Sequence, residues 1–228
     1  MEESVAKLHS PPKPARAFVP DWYKKSKRWR SGKPEILEGG GVNKDIKLCI
    51  PFLEAMTAGY CITLPGDVLI ERKNGRVGFA WNGARNQISS PLEVRPKDMA
   101  TELPRPAGHD HDLYAWNTTW GIEVPEGYSC LFTHPFNRFD LPFTTTNGFV
   151  ESDGFSAGGG IPFFLKEGFE GVIPEGTPII QVVPIKREGW KSEVAEYDPD
   201  WADKQIWSIS KYITGGYRKH WWVKKTFE

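Results

Sequence analysis

A mainly β fold, built as a small distorted barrel or sandwich with short helices and extended terminal arms, is predicted by three features of this chain. From Leu113 to Pro184 short apolar runs alternate with glycine- and proline-containing breaks, the rhythm of strands joined by tight turns. The 23 glycines and 19 prolines are roughly a sixth of the 228 residues, too many helix breakers for a helical bundle. Aromatic residues reach 13%, and their flat side chains favour strands.

Taken in order, Lys47 to Ile50 reads as a short strand, and Pro51 opens a helical turn over residues 52–58. Tyr60 to Leu64 is a strand, turned at Pro65-Gly66-Asp67 into Val68 to Glu71. Asn74-Gly75 is the pair that a type I′ hairpin demands, with Val77 to Trp81 as the returning strand. Ser89 to Gly108 contains Pro91, Pro96, Pro104 and Pro106 and reads as loop. Strands are then expected at Trp116 to Val124, Tyr128 to Thr133, Thr144 to Val150, Ile161 to Leu165, Gly168 to Ile173 and Pro178 to Val183. A helix is expected from Asp200 to Ser210.

Three regions follow from composition. Residues 1–33 form a basic aromatic N-terminal arm, with nine lysines and arginines against Glu2, Glu3 and Asp21. Residues 34–190 are the β core, and residues 191–228 a C-terminal tail with a short helix and a basic, aromatic end. Formal net charge is +0, which removes the electrostatic case for nucleic-acid binding by the chain as a whole. The arm is the exception, because cations interleaved with Phe18, Trp22, Tyr23 and Trp29 suit single-stranded nucleic acid as well as a protein surface. No apolar run approaches the ~18 residues of a membrane span, and Met1-Glu2-Glu3 does not open a signal peptide. Cys49, Cys61 and Cys130 are odd in number, without metal-binding spacing, and read as small buried hydrophobes. Together these point to the cytoplasm, with no membrane partner.

The segments Pro125-Glu126-Gly127, Leu131-Phe132-Thr133-His134-Pro135, Gly148-Phe149-Val150-Glu151-Ser152-Asp153-Gly154 and Gly176-Thr177-Pro178-Ile179-Ile180-Gln181 come in an order that resembles the dUTPase and dCTP-deaminase superfamily. The resemblance covers about a quarter of the chain. It implies a dUTPase-like barrel and a trimer whose termini cross between subunits. It also puts Glu151 where that superfamily has its water-positioning aspartate, and Gly154 where it has a base-stacking aromatic. The phosphate-gripping serine loop is replaced by His134-Pro135-Phe136-Asn137, and Ile161 to Leu165 lacks the deaminase glutamate. Over its whole length the chain also looks like a family of proteins of unknown function from bacteria and their tailed phages. Pro20-Asp21-Trp22-Tyr23-Lys24-Lys25, Pro51 to Tyr60 and Tyr128 to Arg138 carry that likeness. It implies a phage-encoded or virion-associated setting.

Several candidate residues emerge. If the chain is an enzyme, Glu151, Asp153 and His134 are the groups to carry acid–base chemistry. Tyr128, His134, Asn137, Arg138 and Asp140 offer a ligand site for an anion or sugar at a barrel mouth. The competing reading of the same turn is structural: Asn137 and Asp140 shape it while Arg138 pairs with Asp140 or Glu151. His109-Asp110-His111-Asp112 suggests a His-x-His metal pair, but Gly108 and the prolines before it favour a solvated loop, so no metal is expected. No cofactor motif is present. Trp22, Tyr23, Trp29, Trp221 and Trp222 are too apolar to leave in water and should bind the chain's own core, a sister subunit or a partner. The expected function is non-catalytic binding or assembly as a homo-oligomer, with a trimer favoured and other virion proteins as further partners. The alternative is a nucleotide- or small-molecule-processing enzyme, or a nucleotide-sequestering protein, on a dUTPase-like barrel.

Overall fold

The computed structural model describes residues 10–82, 90–96, 99 and 102–228. Its strands, numbered along the chain, form three antiparallel sheets. The first runs in the order β1 (Lys13–Pro14), β2 (Tyr60–Thr63), β12 (Pro178–Lys186), β7 (Tyr128–Thr133), β9 (Gly148–Val150). The second runs β5 (Leu92–Val94), β6 (His109–Asn117), β10 (Gly160–Lys166), β8 (Phe143–Thr145). The third runs β11 (Gly171–Ile173), β3 (Val68–Lys73), β4 (Arg76–Trp81). Among the described residues no sheet closes on itself. The fold is therefore mainly β and antiparallel, without a closed barrel.

All three sheets contribute to one core. Along β3 Val68 and Ile70 are buried while Leu69 and Glu71 are exposed, the two-residue period of a half-buried strand. Its hairpin to β4 turns on Asn74 (φ 52°) and Gly75 (φ 73°), both left-handed as a type I′ turn requires. Trp116 of β6 anchors the centre, stacked on Phe163 at 3.7 Å between ring centroids and edge-on to Phe143 at 4.9 Å. Its indole N–H donates to Thr145 Oγ1 (3.1 Å), and that hydroxyl donates to the Ile179 carbonyl (2.7 Å). The core thus buries its polar atoms with partners.

Among the described residues there are four α-helices: α1 (Asp21–Lys25), α2 (Ile50–Thr57), α3 (Pro199–Ser210) and α4 (Gly216–His220). Pro51 lies in the first turn of α2, where its missing N–H costs nothing. The Asp198 carboxylate caps α3 by accepting the Trp201 N–H at 3.0 Å.

Several expected elements are relocated. The strand read at Trp116 to Val124 lies earlier, at His109–Asn117. Thr144 to Val150 is split between β8 and β9, which belong to different sheets. Lys47 to Ile50 is no strand: Ile46–Leu48 winds into a 3-10 turn, with the Asp45 side chain accepting the Ile46 N–H. Cys61 and Cys130 are buried, and burial pushes the Cys61 thiol up to about 12, but Cys49 is exposed. The described part of the N-terminal arm packs on the core. β1 pairs with β2, and the Ala15 N–H donates to the Gly59 carbonyl at 2.9 Å. Gly59 has φ 66°, and a Cβ there would lie 2.0 Å from the Val182 carbonyl oxygen, so this approach admits only glycine.

Candidate functional site

Strand β7 sets where the candidate residues fall. It pairs with β9 so that Cys130 faces Val150 and Phe132 faces Gly148. Glu151 and Asp153 therefore follow β9 at the end of β7 that carries Tyr128 and Ser129. His134 leaves the opposite end. Ser129 and His134 are five residues apart, about 17 Å along an extended strand. The suggested trio of Glu151, Asp153 and His134 is not brought together, and Tyr128 is likewise separated from the turn with which it was grouped.

At the first end, the two carboxylates converge on Arg187. One guanidinium nitrogen of Arg187 contacts Glu151 Oε2, donates to Asp153 Oδ1 (2.8 Å) and reaches the Tyr128 carbonyl (3.1 Å); the other pairs with Asp153 Oδ2. Ser129 Oγ donates to Glu151 Oε2 at 2.6 Å, and the Gly127 N–H donates to Asp153 Oδ2 at 3.0 Å. Hydrogen bonds from Arg187 and then from Gly127 hold the Asp153 carboxyl at about 2. The Ser129 hydroxyl, followed by Arg187, lowers Glu151. A general base poised for neutral pH needs the opposite shift. Chemically this is an ion-pair clasp, and it closes where β12 ends and the C-terminal tail begins.

At the other end, the turn from His134 to Asp140 is occupied by its own chain. His134 Nδ1 accepts the Thr145 N–H at 3.3 Å, so Nε2 carries the proton and donates to the Arg138 carbonyl at 3.1 Å. Burial lowers the imidazole pKa against the opposing pull of that carbonyl, which keeps the ring neutral near pH 7. Asn137 takes a left-handed φ of 61°, and its amide donates to the Phe52 carbonyl at 3.1 Å. Arg138 forks onto Asp140 through Nε and Nη2, both at 2.9 Å, and its Nη1 donates to the Phe18 carbonyl at 3.1 Å. Burial raises the Asp140 pKa, but the Arg138 bonds and charge, with a 3.3 Å bond from the Trp22 indole, bring it below the usual value. The turn grips the N-terminal arm.

Sequence reasoning named Gln181 only as part of a pattern. Buried in β12, it accepts the Phe136 N–H (2.8 Å) and donates to the Ala55 and Ala58 carbonyls (2.9 and 2.6 Å). It ties the end of α2 to the His134 turn. Arg187 was not singled out either, because its partners lie 36 and 34 residues away.

The His109 segment is not a loop. It opens β6 with a bulge: between Leu113 facing Phe164 and His109 facing Lys166, β6 has three residues where β10 has one. The bulge takes His109 and His111 off a common face. His109 is buried, bonded to the Ala107 carbonyl (3.0 Å) and Thr144 Oγ1 (2.9 Å), while His111 is exposed. Asp110 pairs bidentately with Arg72 at 3.2 and 2.6 Å. Among the described residues no cluster of His, Cys, Asp and Glu has a geometry for a metal ion.

The terminal aromatics meet different fates. Tyr23 is only 4% exposed, stacked on Phe52 at 6.0 Å, and is not available to a partner. Trp29 is half-buried, in a bridge between its own residue and Lys44. Trp221 donates to Ser208 Oγ at 2.8 Å within the pair of helices α3 and α4, and Trp222 is half-buried beneath Arg218. Phe227 returns to the core, edge-on to Tyr60 at 5.9 Å. Among the described residues no helix is long and apolar enough to cross a membrane. No protein-family model and no curated protein matches this chain, so its functional reading rests on the geometry.

Proposed function

We propose that this protein is a non-catalytic binding and assembly protein that works as a homo-oligomer. One observation carries the reading: from Ile185 to Trp201 every residue is exposed, and none of that run lies in a sheet beyond Lys186. Trp190 is 90% and Tyr197 76% exposed, and α3 adds Trp207 at 70%. What is continuous along this run is exposure; its large apolar side chains, Trp190, Val194, Tyr197 and Trp201, stand between charged residues. That many solvated aromatics in one segment support a surface that another molecule covers. A second copy of the chain is the occupant favoured here, because with a net charge of +0 identical copies do not repel. The trimeric order, the dUTPase-like relation of the sheets and the virion-associated setting come from the family resemblances and belong to the same proposal.

Light scattering on the full chain and on a Trp190→Ser, Tyr197→Ser, Trp207→Ser variant tests this. The parent should be oligomeric and the variant monomeric with an unchanged far-ultraviolet spectrum. A monomeric parent at assay concentrations up to the millimolar range sinks the reading. An enzymatic reading would need Glu151 or Asp153 free to position a water, yet Arg187 holds both. With Mg²⁺ present, dUTP and dCTP turnover should stay at background. Turnover that vanishes in Glu151→Gln would replace assembly with catalysis as the better account.

A further inference from the structure

Between α2, the N-terminal arm and the last residues of the tail lies a cavity of about 250 Å³. Ile50 and Leu53 of α2 line one side, and Trp222 and Phe227 of the tail line another. This is an apolar slot, yet besides Glu54 and Thr57 its remaining lining is four cations. Lys225 is neutralised by an ion pair with Glu54. Arg16, Arg218 and Lys224 also line the cavity, and among the described residues none of the three has a carboxylate partner. Arg218 lies over the Trp222 ring at 5.5 Å. A guanidinium in that position keeps its N–H edges free for an acceptor.

The second observation is independent of charge. The Trp222 indole N–H is buried, with no hydrogen-bond partner among the described residues. Buried donors are almost always matched, because leaving one unmatched forfeits its hydration with nothing in return. Apolar walls and surplus positive charge thus meet around one cavity, with the buried indole N–H behind its lining. The geometry points to a binding site for a small amphipathic anion: a single carboxylate on a short alkyl or aryl body. The body packs between Leu53 and Phe227, and the carboxylate pairs with Arg218 where that guanidinium lies over the Trp222 ring. A neutral apolar molecule leaves the cations unused, and a cation is repelled by them. A strongly hydrated inorganic anion would set its water shell against the apolar walls. The volume lies just below the ~300–1,000 Å³ of drug-sized pockets, which favours a short body over a long lipid chain.

Isothermal titration of the full chain with octanoate tests the site, with octyltrimethylammonium as the charge-reversed control and acetate as the head group alone. Octanoate should bind saturably, one per chain, and at least tenfold more tightly than acetate. Octyltrimethylammonium should give no saturable heat. Arg218→Ala and Arg16→Ala each remove an exposed cation of the lining; each should weaken octanoate, Arg218→Ala at least tenfold. The stoichiometry per chain does not depend on whether the protein assembles. No saturable octanoate binding, equal binding of the charge-reversed control, or unchanged affinity in both variants would overturn the assignment.

Discussion

At the N-terminal end Ala15 and Tyr23 are buried and Trp22 bonds to Asp140, whereas at the C-terminal end Trp190, Tyr197 and Trp207 face solvent. Both segments mix cations with large aromatics, so composition does not separate them. Their surroundings do. The arm meets a receptor built for it: the Gly59 carbonyl for Ala15, the Phe52 ring for Tyr23, and the Arg138–Asp140 fork for Phe18 and Trp22. The Lys47 ammonium adds a bond to the Tyr23 carbonyl at 2.9 Å. The stretch from Glu188 to Trp201 meets nothing comparable among the described residues, although the last residues of the tail return to Tyr60 and Glu54. An aromatic stays outside when the chain supplies no complementary surface, and that surface must then come from elsewhere.

The largest expected effect contrasts single residues from the two segments. Tyr23→Ala removes a buried ring and should cost about 3 kcal/mol in urea unfolding, the low end for a large aromatic truncated in a core. Trp190→Ala, at a fully solvated position, should stay within about 0.5 kcal/mol when measured on dilute protein. A Trp190→Ala loss as large as that of Tyr23→Ala would erase the distinction.

A smaller effect concerns the clasp that separates core from tail. Arg187 holds the Asp153 carboxyl at about 2, below its ordinary value near 4. A depressed carboxyl stabilises the fold above its unfolded pKa and loses that contribution as pH falls through its folded one. The thermal midpoint should therefore drop between pH 4 and pH 2, and drop less over that window in Arg187→Ala. Parallel curves for the two proteins would mean that the clasp does not contribute.

Local chemistry made much of the fold legible. Asn74-Gly75 dictated its hairpin, the apolar run from Val68 after the Pro65-Gly66-Asp67 turn marked a strand, and the helix expected from Asp200 to Ser210 falls one residue inside α3. What was hidden depends on distant partners. His109 to Asp112 look too polar for a strand, and they fit one only because Arg72 satisfies Asp110 and a bulge re-aims the histidines. Thr146-Asn147 breaks the run from Thr144 to Val150, but that its halves join different sheets follows from pairing with Phe164 and Cys130. The candidate site was the least legible part. Glu151 was a candidate only if the chain is an enzyme, and the pairing of β7 with β9 and β12 places Ser129 and Arg187 against it. The His134 turn could be read as a ligand site or as structure, and the bonds of His134 go to Arg138 and Thr145, of Asn137 to α2 and of Arg138 to the arm.

Amide hydrogen exchange on the full chain, followed over a hundredfold range of protein concentration, bears most directly on the contrast between the two ends. Residues 13–25 should exchange slowly at every concentration, because their partners lie in the same chain. Residues 188–198 should exchange fast in dilute solution and become protected as concentration rises. Slow exchange of 188–198 at the lowest concentration, or protection of 13–25 that grows with concentration, would contradict the account.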